Sequence, residues 1–455
     1  MDNYGFLSVI PMILLLCMAI KTRKVLESVF VASIATYLIL SKQNFIVDWV
    51  ADLQEVAAGS AFVYVLCIVG AFGGLIRLLQ DSGGALGFGN FAAKYANTQR
   101  KSLLLTYLLG MLVFIDEYLN ALAVTSSMRS LTDKYKVPRE MLAMTVNTGG
   151  TPMCAIIPFS TWSAFYIALI SDEGILEGTG LTGMQMYLKS IPYMVYPFVI
   201  LIIMFLLIMG WFPKIGTLKK AYQRVETTGN VFPESGAISE PESESDGVKE
   251  VKLINFVLPI LALIVGTVVS SGDILIGSVL AIATCFILYS ANKTMTIAQL
   301  MESFINGIKD MVYILVMVLF IFLFVEGCTK LGFAEYIINL IVPFMTPQLL
   351  PPFLCLIIAL VSFGVGSYWS ISVIALPIVI PMAVQFGLSI PLMLGVLVSA
   401  AVFGSQACFY CEVILLAATS AQIEPAEVGF ANLPYSIIAL LISTGIYGVI
   451  ACVMV

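Results

Sequence analysis

The sequence predicts an all-α polytopic membrane protein with about ten transmembrane helices. Of its 455 residues, 60% are hydrophobic and 11% are charged, whereas a soluble globular chain carries about 25% charged residues. The mean hydropathy is +1.01. Apolar stretches long enough to cross a hydrocarbon core, about 17 to 25 residues, recur along the chain. This composition excludes a soluble enzyme, a nucleic-acid-binding protein and a disordered protein, and the stretches are too long for the strands of a membrane barrel.

The ionisable residues narrow the chemistry. The chain has 22 Lys and Arg, 28 Asp and Glu, and no His. A His-ligated metal site and a nucleophile activated by His are therefore excluded, so we predict no enzyme activity and no cofactor. Cys408 and Cys411 have C-x-x-C spacing, but without a second pair we expect no metal or redox role. The N-terminus lacks a basic region, so residues 4–20 are expected to be a retained first span.

A polar segment divides the chain into two halves. Residues 212–252 contain 13 charged residues, and we interpret them as a flexible cytoplasmic linker between residues 1–211 and 253–455. Each half has the same order of features, which predicts a repeat. These features are an amphipathic stretch (44–58 and 296–309), an apolar span (Val63-Tyr-Val-Leu66 and Val312-Tyr-Ile-Leu315), a hairpin (103–130 and 351–384) and a broken helix (140–170 and 391–421). We expect the broken helices to break at Gly149-Gly150 and at Gly404.

The distribution of basic residues predicts the topology. If residues 21–24 are cytoplasmic, both termini lie outside, the linker lies inside, and 19 of the 22 basic residues are on the inner side. This arrangement requires both hairpins to be re-entrant, entering and leaving the membrane on one side. The two halves then form an inverted-topology repeat, which is typical of secondary transporters.

Four polar breaks interrupt the apolar segments. A break at membrane depth is tolerated where it lines a cavity or is buried in protein, and hard cations prefer oxygen ligands such as these breaks supply. A charge at mid-bilayer costs at least about 2.5–3.5 kcal/mol, which favours a coupling role for Asp116, Glu117 and Glu412 over a carboxylate at a water-exposed hairpin end. Asp116 and Asn120 are expected to contact Na⁺. The other candidate cation or substrate ligands are Asn147, Thr148, Thr151, Gly366, Ser367, Ser370, Ser405 and Gln406.

Several motifs resemble the NhaC-type sodium/proton antiporter family of the ion-transporter superfamily. The most specific is Phe114-Ile-Asp-Glu-Tyr-Leu-Asn120, followed by the stretch 128–142 that begins Met-Arg-Ser-Leu-Thr-Asp-Lys. Ser160-Thr-Trp162, Gly366-Ser-Tyr-Trp369 and Ser399-Ala-Ala-Val-Phe-Gly404 are similar to further family motifs. The resemblance implies Na⁺/H⁺ antiport in a cell (inner or plasma) membrane, inverted repeats with two re-entrant hairpins, and a homodimer in which a transport domain moves against a scaffold.

The chain also departs from the family pattern. Ser405, Gln406 and Glu412 stand where the family usually has Asp-His and a later Asp, and Asn147 stands where Asp is common. Fewer titratable groups remain, so Na⁺-coupled transport of a small organic acid or amino acid stays open as an alternative. For antiport, the simplest mechanism is competition between Na⁺ and H⁺ for Asp116, because desolvation favours the neutral acid and a bound cation favours the carboxylate. We expect Asp116 to face residues 366–370 across a polar cavity.

Overall fold

The computed structural model describes residues 4–22, 25–83, 96–171, 180–233, 253–270, 273–333, 345–365, 368–409 and 411–454, with the single residues 176, 336 and 340. Every element in these ranges is a helix, which confirms the predicted all-α class. Gly366, Ser367 and residues 234–252 of the expected linker lie outside the described residues. The side chains of Ser370 and Glu412 are likewise outside the description.

The helices of the first half follow the predicted order. The two amphipathic stretches of the chain, residues 44–58 and 296–309, are both helical. The first-half helices are α1 (Ile10–Thr22), α2 (Val25–Ser41), α3 (Phe45–Ala58), α4 (Ser60–Asp81), α5 (Gln99–Leu112), α6 (Glu117–Leu119), a π-helical turn (Asn120–Val124), α7 (Thr125–Lys134), α8 (Arg139–Ile156), α9 (Thr161–Ile170), α10 (Gly183–Ser190), α11 (Val195–Met209) and α12 (Gly216–Thr228).

The second half has a comparable series. Its helices are α13 (Ile254–Val269), α14 (Ile274–Ala291), α15 (Ile297–Asp310), α16 (Val312–Lys330), α17 (Leu350–Val365), α18 (Tyr368–Gln385), α19 (Ile390–Ala407), α20 (Glu412–Ala421) and α21 (Pro425–Met454). The lengths match between halves: α8 and α19 have 18 residues each, α9 and α20 have 10, and α3 and α15 have 14.

Several described helices are long and apolar enough to cross a membrane. Five meet this criterion by length and composition, and six do if a pair bent by 49° is one span. The estimate of about ten spans therefore stays a prediction. The five are Leu26–Ala58, Arg139–Ile170, Ile274–Ala291, Ile390–Ala407 and Pro425–Val453, and the bent pair is Gly183–Tyr193 with Val195–Met209.

Both predicted helix breaks were placed too early. Helix α8 continues through Gly149-Gly150 and ends at Ile156, and α19 continues through Gly404 and ends at Ala407. The glycines allow close packing instead of ending the helix. A Cβ on Gly149 would lie 3.4 Å from the Cα of Gly110 in α5, and a Cβ on Gly404 would lie 2.7 Å from the carbonyl carbon of Ser362 in α17. Each hairpin thus packs tightly on the broken helix of its own half.

The expectation of a flexible linker is wrong for residues 216–228, which form helix α12. Leu218, Tyr222 and Val225 recur at helical spacing and are buried, so α12 packs on the bundle through one apolar side. Its Arg224 donates two hydrogen bonds, of 2.8 and 3.0 Å, to the carboxylate of Glu140 at the start of α8. The charged composition of the whole segment concealed this short amphipathic stretch.

We expect Arg224→Met to lower the free energy of unfolding by about 3 kcal/mol, because it leaves the carboxylate of Glu140 buried without its partner. The Glu140 side chain is 4% exposed and the Arg224 side chain 17%. The double variant Arg224→Met/Glu140→Met should recover most of this loss. Thermal unfolding in detergent measures the effect, and Lys219→Met, an exposed position on the same helix, is the matched control. Equal destabilisation by Arg224→Met and Lys219→Met would contradict the role given to this ion pair.

The two halves are interlocked at the end of α20. Its last carbonyls have no partners within the helix. Arg129 of α7 donates to the Ser420 carbonyl at 3.0 Å, and Arg139 of α8 donates to the Ala421 carbonyl at 2.6 Å. Arg139 also pairs with Asp133 at 2.6 Å. Side chains from the first half therefore cap a helix of the second half.

Candidate functional site

The tip of the first hairpin docks on the break between α8 and α9. The Ile115 carbonyl accepts a hydrogen bond of 2.8 Å from the Thr161 N–H, at the first residue of α9. Ser160 caps α9 by accepting from the Ser163 N–H at 3.1 Å, and the Ser163 hydroxyl accepts from the Ser160 N–H at 2.9 Å. This reciprocal cap starts the new helix at a fixed residue. The break and the hairpin tip therefore form one rigid polar junction.

Asp116 lies at the centre of this junction and is 3% exposed. Its Oδ1 accepts from the N–H groups of Tyr118 and Leu119, both at 2.9 Å, so Asp116 is the N-cap of α6. Its Oδ2 accepts from the Thr161 hydroxyl at 3.1 Å. Among the residues that the structure describes, no Lys or Arg is paired with this carboxylate. Neutral donors hold it, and nothing described there balances its charge.

A small cavity of about 10 Å³ lies beside the Asp116 carboxylate. That volume has room for about one water molecule. The lining differs from the expected polar cavity: apart from Asp116, Tyr118 and Thr161, it consists of apolar side chains of α4 and Met311. Helix α4 packs against α9, which brings its apolar side to this position. The expected partner segment, residues 366–370, includes Gly366 and Ser367 outside the described residues.

Glu117 and Asn120 follow Asp116 in the chain, and both are buried. The Asn120 amide donates to the Val113 carbonyl at 2.9 Å and to the Gly110 carbonyl, both near the end of α5. Within the described part of the chain its Oδ1 has no hydrogen-bond partner. Asn120 also begins the π-helical turn, a local widening that is frequent at functional sites. A buried oxygen without a donor is a suitable cation ligand.

The other predicted ligands of the first half lie in the middle of α8. The Thr151 hydroxyl donates to Asn147 Oδ1 at 3.2 Å, and the Thr148 hydroxyl accepts from Gln406 at 2.8 Å. Pro152 has no N–H, so it removes the helical donor for the Thr148 carbonyl. These side chains are buried, and they join α8 to α19 of the other half.

Gln406 is the centre of a polar network rather than an open ligand. Its side-chain amide donates to Thr148, and its Oε1 accepts from the Tyr196 hydroxyl at 2.9 Å. Its backbone carbonyl, at the end of α19, accepts from the amides of Asn432 at 2.6 Å and Asn147 at 3.4 Å. Helices α8, α11, α19 and α21 therefore meet at one polar residue.

The remaining candidates lie around the second break. The Ser405 hydroxyl is buried and lies 3.5 Å from the Cys411 thiol. Glu412 is the first residue of α20, a position where the helix dipole favours a carboxylate, and Ser370 is in the first turn of α18.

Helix α6 packs against α20, and Ser372 of α18 is hydrogen-bonded to Tyr166 of α9. Each hairpin thus contacts the broken helix of the opposite half.

Three residues that contact the predicted site were missed by sequence reasoning. Thr161 holds Asp116, Tyr196 holds Gln406, and Asn432 caps α19. Ser160-Thr161 has the composition of a helix N-cap, which was a usable signal. Asn432 is a single amide in a largely apolar stretch, whereas nothing in the sequence around Tyr196 indicates its partner.

Two solved membrane-protein structures have a similar fold. The YdaH transporter of Alcanivorax borkumensis, described as having an unusual topology, aligns over 89% of this chain and 88% of its own, with a TM-score of 0.55 and 14% identity. MtrF of Neisseria gonorrhoeae, described within a class of antimetabolite efflux pumps, aligns over 90% of this chain and 85% of its own, with a TM-score of 0.54 and 14% identity. The fold is that of a multi-pass membrane transporter.

Sequence comparison gives the family. The sequence model of the Na⁺/H⁺ antiporter family matches residues 153–451. The chain therefore belongs to that family, and the resemblance found in its motifs is confirmed. A protein of Haemophilus influenzae without a characterised function is 26% identical over 475 aligned positions, which cover 94% of this chain and 88% of that protein.

Proposed function

We propose that this protein is a sodium-coupled secondary transporter of the NhaC type that exchanges Na⁺ for H⁺ at Asp116. The observation that carries the proposal is a carboxylate, 3% exposed, that neutral donors hold beside a cavity of about 10 Å³. An isolated buried carboxylate is costly, so it takes up a proton or a cation. A group that must be neutralised by one of two competing ions is the requirement for one-for-one exchange.

The first hairpin and α8 both contain oxygen atoms that a small hard cation could use as ligands. Asp116 retains lone pairs beside its three donors, Asn120 Oδ1 is unpartnered among the described residues, and the Thr148 carbonyl lacks its helical donor. Glu117 is buried next to Asp116, and we propose that it and Glu412 adjust the charge of the site during the cycle. Thr151, Ser370 and Ser405 are proposed as further oxygen ligands along the ion path.

The size of the cavity favours an inorganic ion over an organic solute. A cavity of about 10 Å³ has room for one water-sized particle, whereas sites for organic ligands measure roughly 300–1,000 Å³. By its volume, the cavity beside Asp116 therefore admits Na⁺ or one water molecule but no organic solute in this conformation. Transport of an organic acid or amino acid is the less favoured candidate.

We further propose the topology and assembly that the sequence predicts. The two halves form an inverted repeat with re-entrant hairpins, both termini outside and residues 212–252 inside. The matched helix lengths and the distribution of basic residues support this arrangement. A homodimer in a cell membrane is proposed on the resemblance alone.

The proposed exchange is tested in proteoliposomes that contain a pH-sensitive dye. An outward Na⁺ gradient should drive proton uptake, and an imposed pH gradient should drive Na⁺ movement in the opposite direction, because one site serves both ions. Potassium gradients of equal strength are the control. Sodium-dependent uptake of a labelled organic acid or amino acid, without proton movement, would contradict antiport and establish the alternative.

A further inference from the structure

A buried group of oxygen atoms lies apart from Asp116, at the end of α19. Asn432 and Ser436 are one turn apart on α21, so they lie on the same side of that helix, and both are 0% exposed. Within the described residues, Asn432 Oδ1 has no hydrogen-bond partner and the Ser436 hydroxyl has no well-formed one. The Tyr196 hydroxyl lies beside Ser436. We call Tyr196, Asn432 and Ser436 the α21 oxygen cluster.

Two donors of this cluster are directed at Gln406, whereas the Ser436 hydroxyl lies beside Tyr196. The Asn432 amide donates to the Gln406 carbonyl at 2.6 Å, and the Tyr196 hydroxyl donates to Gln406 Oε1 at 2.9 Å. What remains unfilled is acceptor capacity: the amide oxygen of Asn432 and the lone pairs of two hydroxyl groups. A buried acceptor without a donor costs about 1–3 kcal/mol. Even when the Ser436 hydroxyl donates within the cluster, the oxygen lone pairs outnumber the donors, so the cluster can accept a cation.

The electrostatics at this position favour a cation. The cluster adjoins the C-terminal end of α19, which ends at Ala407. The aligned peptide dipoles give such an end a partial negative charge that attracts cations and repels anions. Amide and hydroxyl oxygens are also the neutral ligands that hard cations accept. Potassium is larger than sodium, and a cluster enclosed by packed helices favours the smaller ion.

We propose that the α21 oxygen cluster binds one Na⁺ at a site separate from Asp116. The ion would contact Asn432 Oδ1, the Ser436 hydroxyl and the Tyr196 hydroxyl. Because Gln406 joins this cluster to Thr148 of α8, binding there stabilises the contact between α8 and α19. The inference rests on the proposed sodium transport for its biological role, but not for its test.

The test measures thermal unfolding of the purified full-length protein in detergent, with NaCl replacing KCl at constant ionic strength. Binding to the folded state raises the melting temperature in proportion to the logarithm of ligand concentration over Kd. In an Asp116→Asn background, part of the Na⁺ response should persist, because this site does not use Asp116. Adding Ser436→Ala should raise the Na⁺ concentration that gives the same rise in melting temperature at least about threefold, by removing one ligand.

Ser443→Ala is the matched control on the same helix. The Ser443 hydroxyl is buried and donates to the Ala439 carbonyl at 2.6 Å, so its loss should leave the Na⁺ response unchanged. Ser436→Ala without Na⁺ should unfold close to the parent temperature, since its hydroxyl makes no well-formed bond. An unchanged Na⁺ response in Ser436→Ala, as expected for a cluster that holds only water, overturns the inference.

The failure of this site is distinguishable from failure of the antiport proposal. If proteoliposomes show no sodium-driven proton movement but Ser436→Ala weakens the Na⁺ response, the cluster is a sodium site and the antiport proposal fails. If antiport is normal and Na⁺ gives no stabilisation in the Asp116→Asn background, the antiport proposal stands and the cluster is not a site.

Discussion

Asp116→Asn should reduce sodium-driven proton movement to the level of empty liposomes, a loss of at least about tenfold. The amide cannot alternate between a proton and a cation, because it does not ionise. The fold should persist, since Asn is as good an N-cap as Asp for the N–H groups of Tyr118 and Leu119. Dye-detected proton fluxes at equal protein density measure the loss, and normal elution in size-exclusion chromatography checks the fold.

The pH dependence of the wild-type protein gives the same prediction a second measurement. For one-for-one competition, the apparent KM for Na⁺ rises as the pH falls through the range where the carboxyl takes up a proton, because the proton occupies the ion's site. The rise is up to about tenfold for each pH unit of decrease. Glu302→Gln, which changes an exposed carboxylate on α15, is the matched control and should behave as wild type. Exchange at the wild-type rate in Asp116→Asn would remove Asp116 from the mechanism.

Gly404→Ala is expected to lower the stability of the fold by separating two packed helices. Its Cβ would lie on the Ser362 side chain and 2.7 Å from the Ser362 carbonyl carbon. Backbone atoms cannot rotate away, so α17 and α19 must separate. Overpacking of this kind costs about 1–3 kcal/mol, and here it also displaces Gln406, two residues further along α19. We expect a melting temperature lower by several degrees.

Gly448→Ala on α21 is the control for Gly404→Ala. A Cβ at Gly448 meets no atom within 4 Å among the described residues, and alanine is a better helix former than glycine. Its melting temperature should equal or exceed that of the parent. If both alanine variants unfold at the parent temperature, the close approach of α17 and α19 does not limit stability.

The fold class and the burial of Asp116 followed from sequence because each depends on local composition. Apolar stretches identify helices for a membrane, and a carboxylate in such a stretch, as at Asp116, has few explanations other than function. The two helix breaks did not follow. Gly149 and Gly404 have the composition of a break, but the packing of a neighbouring helix, which is a tertiary property, decides whether a glycine ends a helix or admits a close contact.

Contacts between distant segments were also beyond reach. The pairing of Asp116 with Thr161 joins two elements 45 residues apart, and no pattern within either segment specifies it. Helix α12 could have been found, since Leu218, Tyr222 and Val225 follow helical spacing. A charged average over residues 212–252 concealed it.

The capping of α20 by Arg139 has a consequence for biogenesis. The carbonyl that Arg139 needs belongs to a residue 282 positions later in the chain. At about 5–20 residues per second, the ribosome delivers that residue roughly 15 to 55 seconds after Arg139. During this interval the nascent first half presents polar helix surfaces, including Asn147 and Thr148, before α19 exists to cover them. The first half therefore completes its packing only after translation supplies the second.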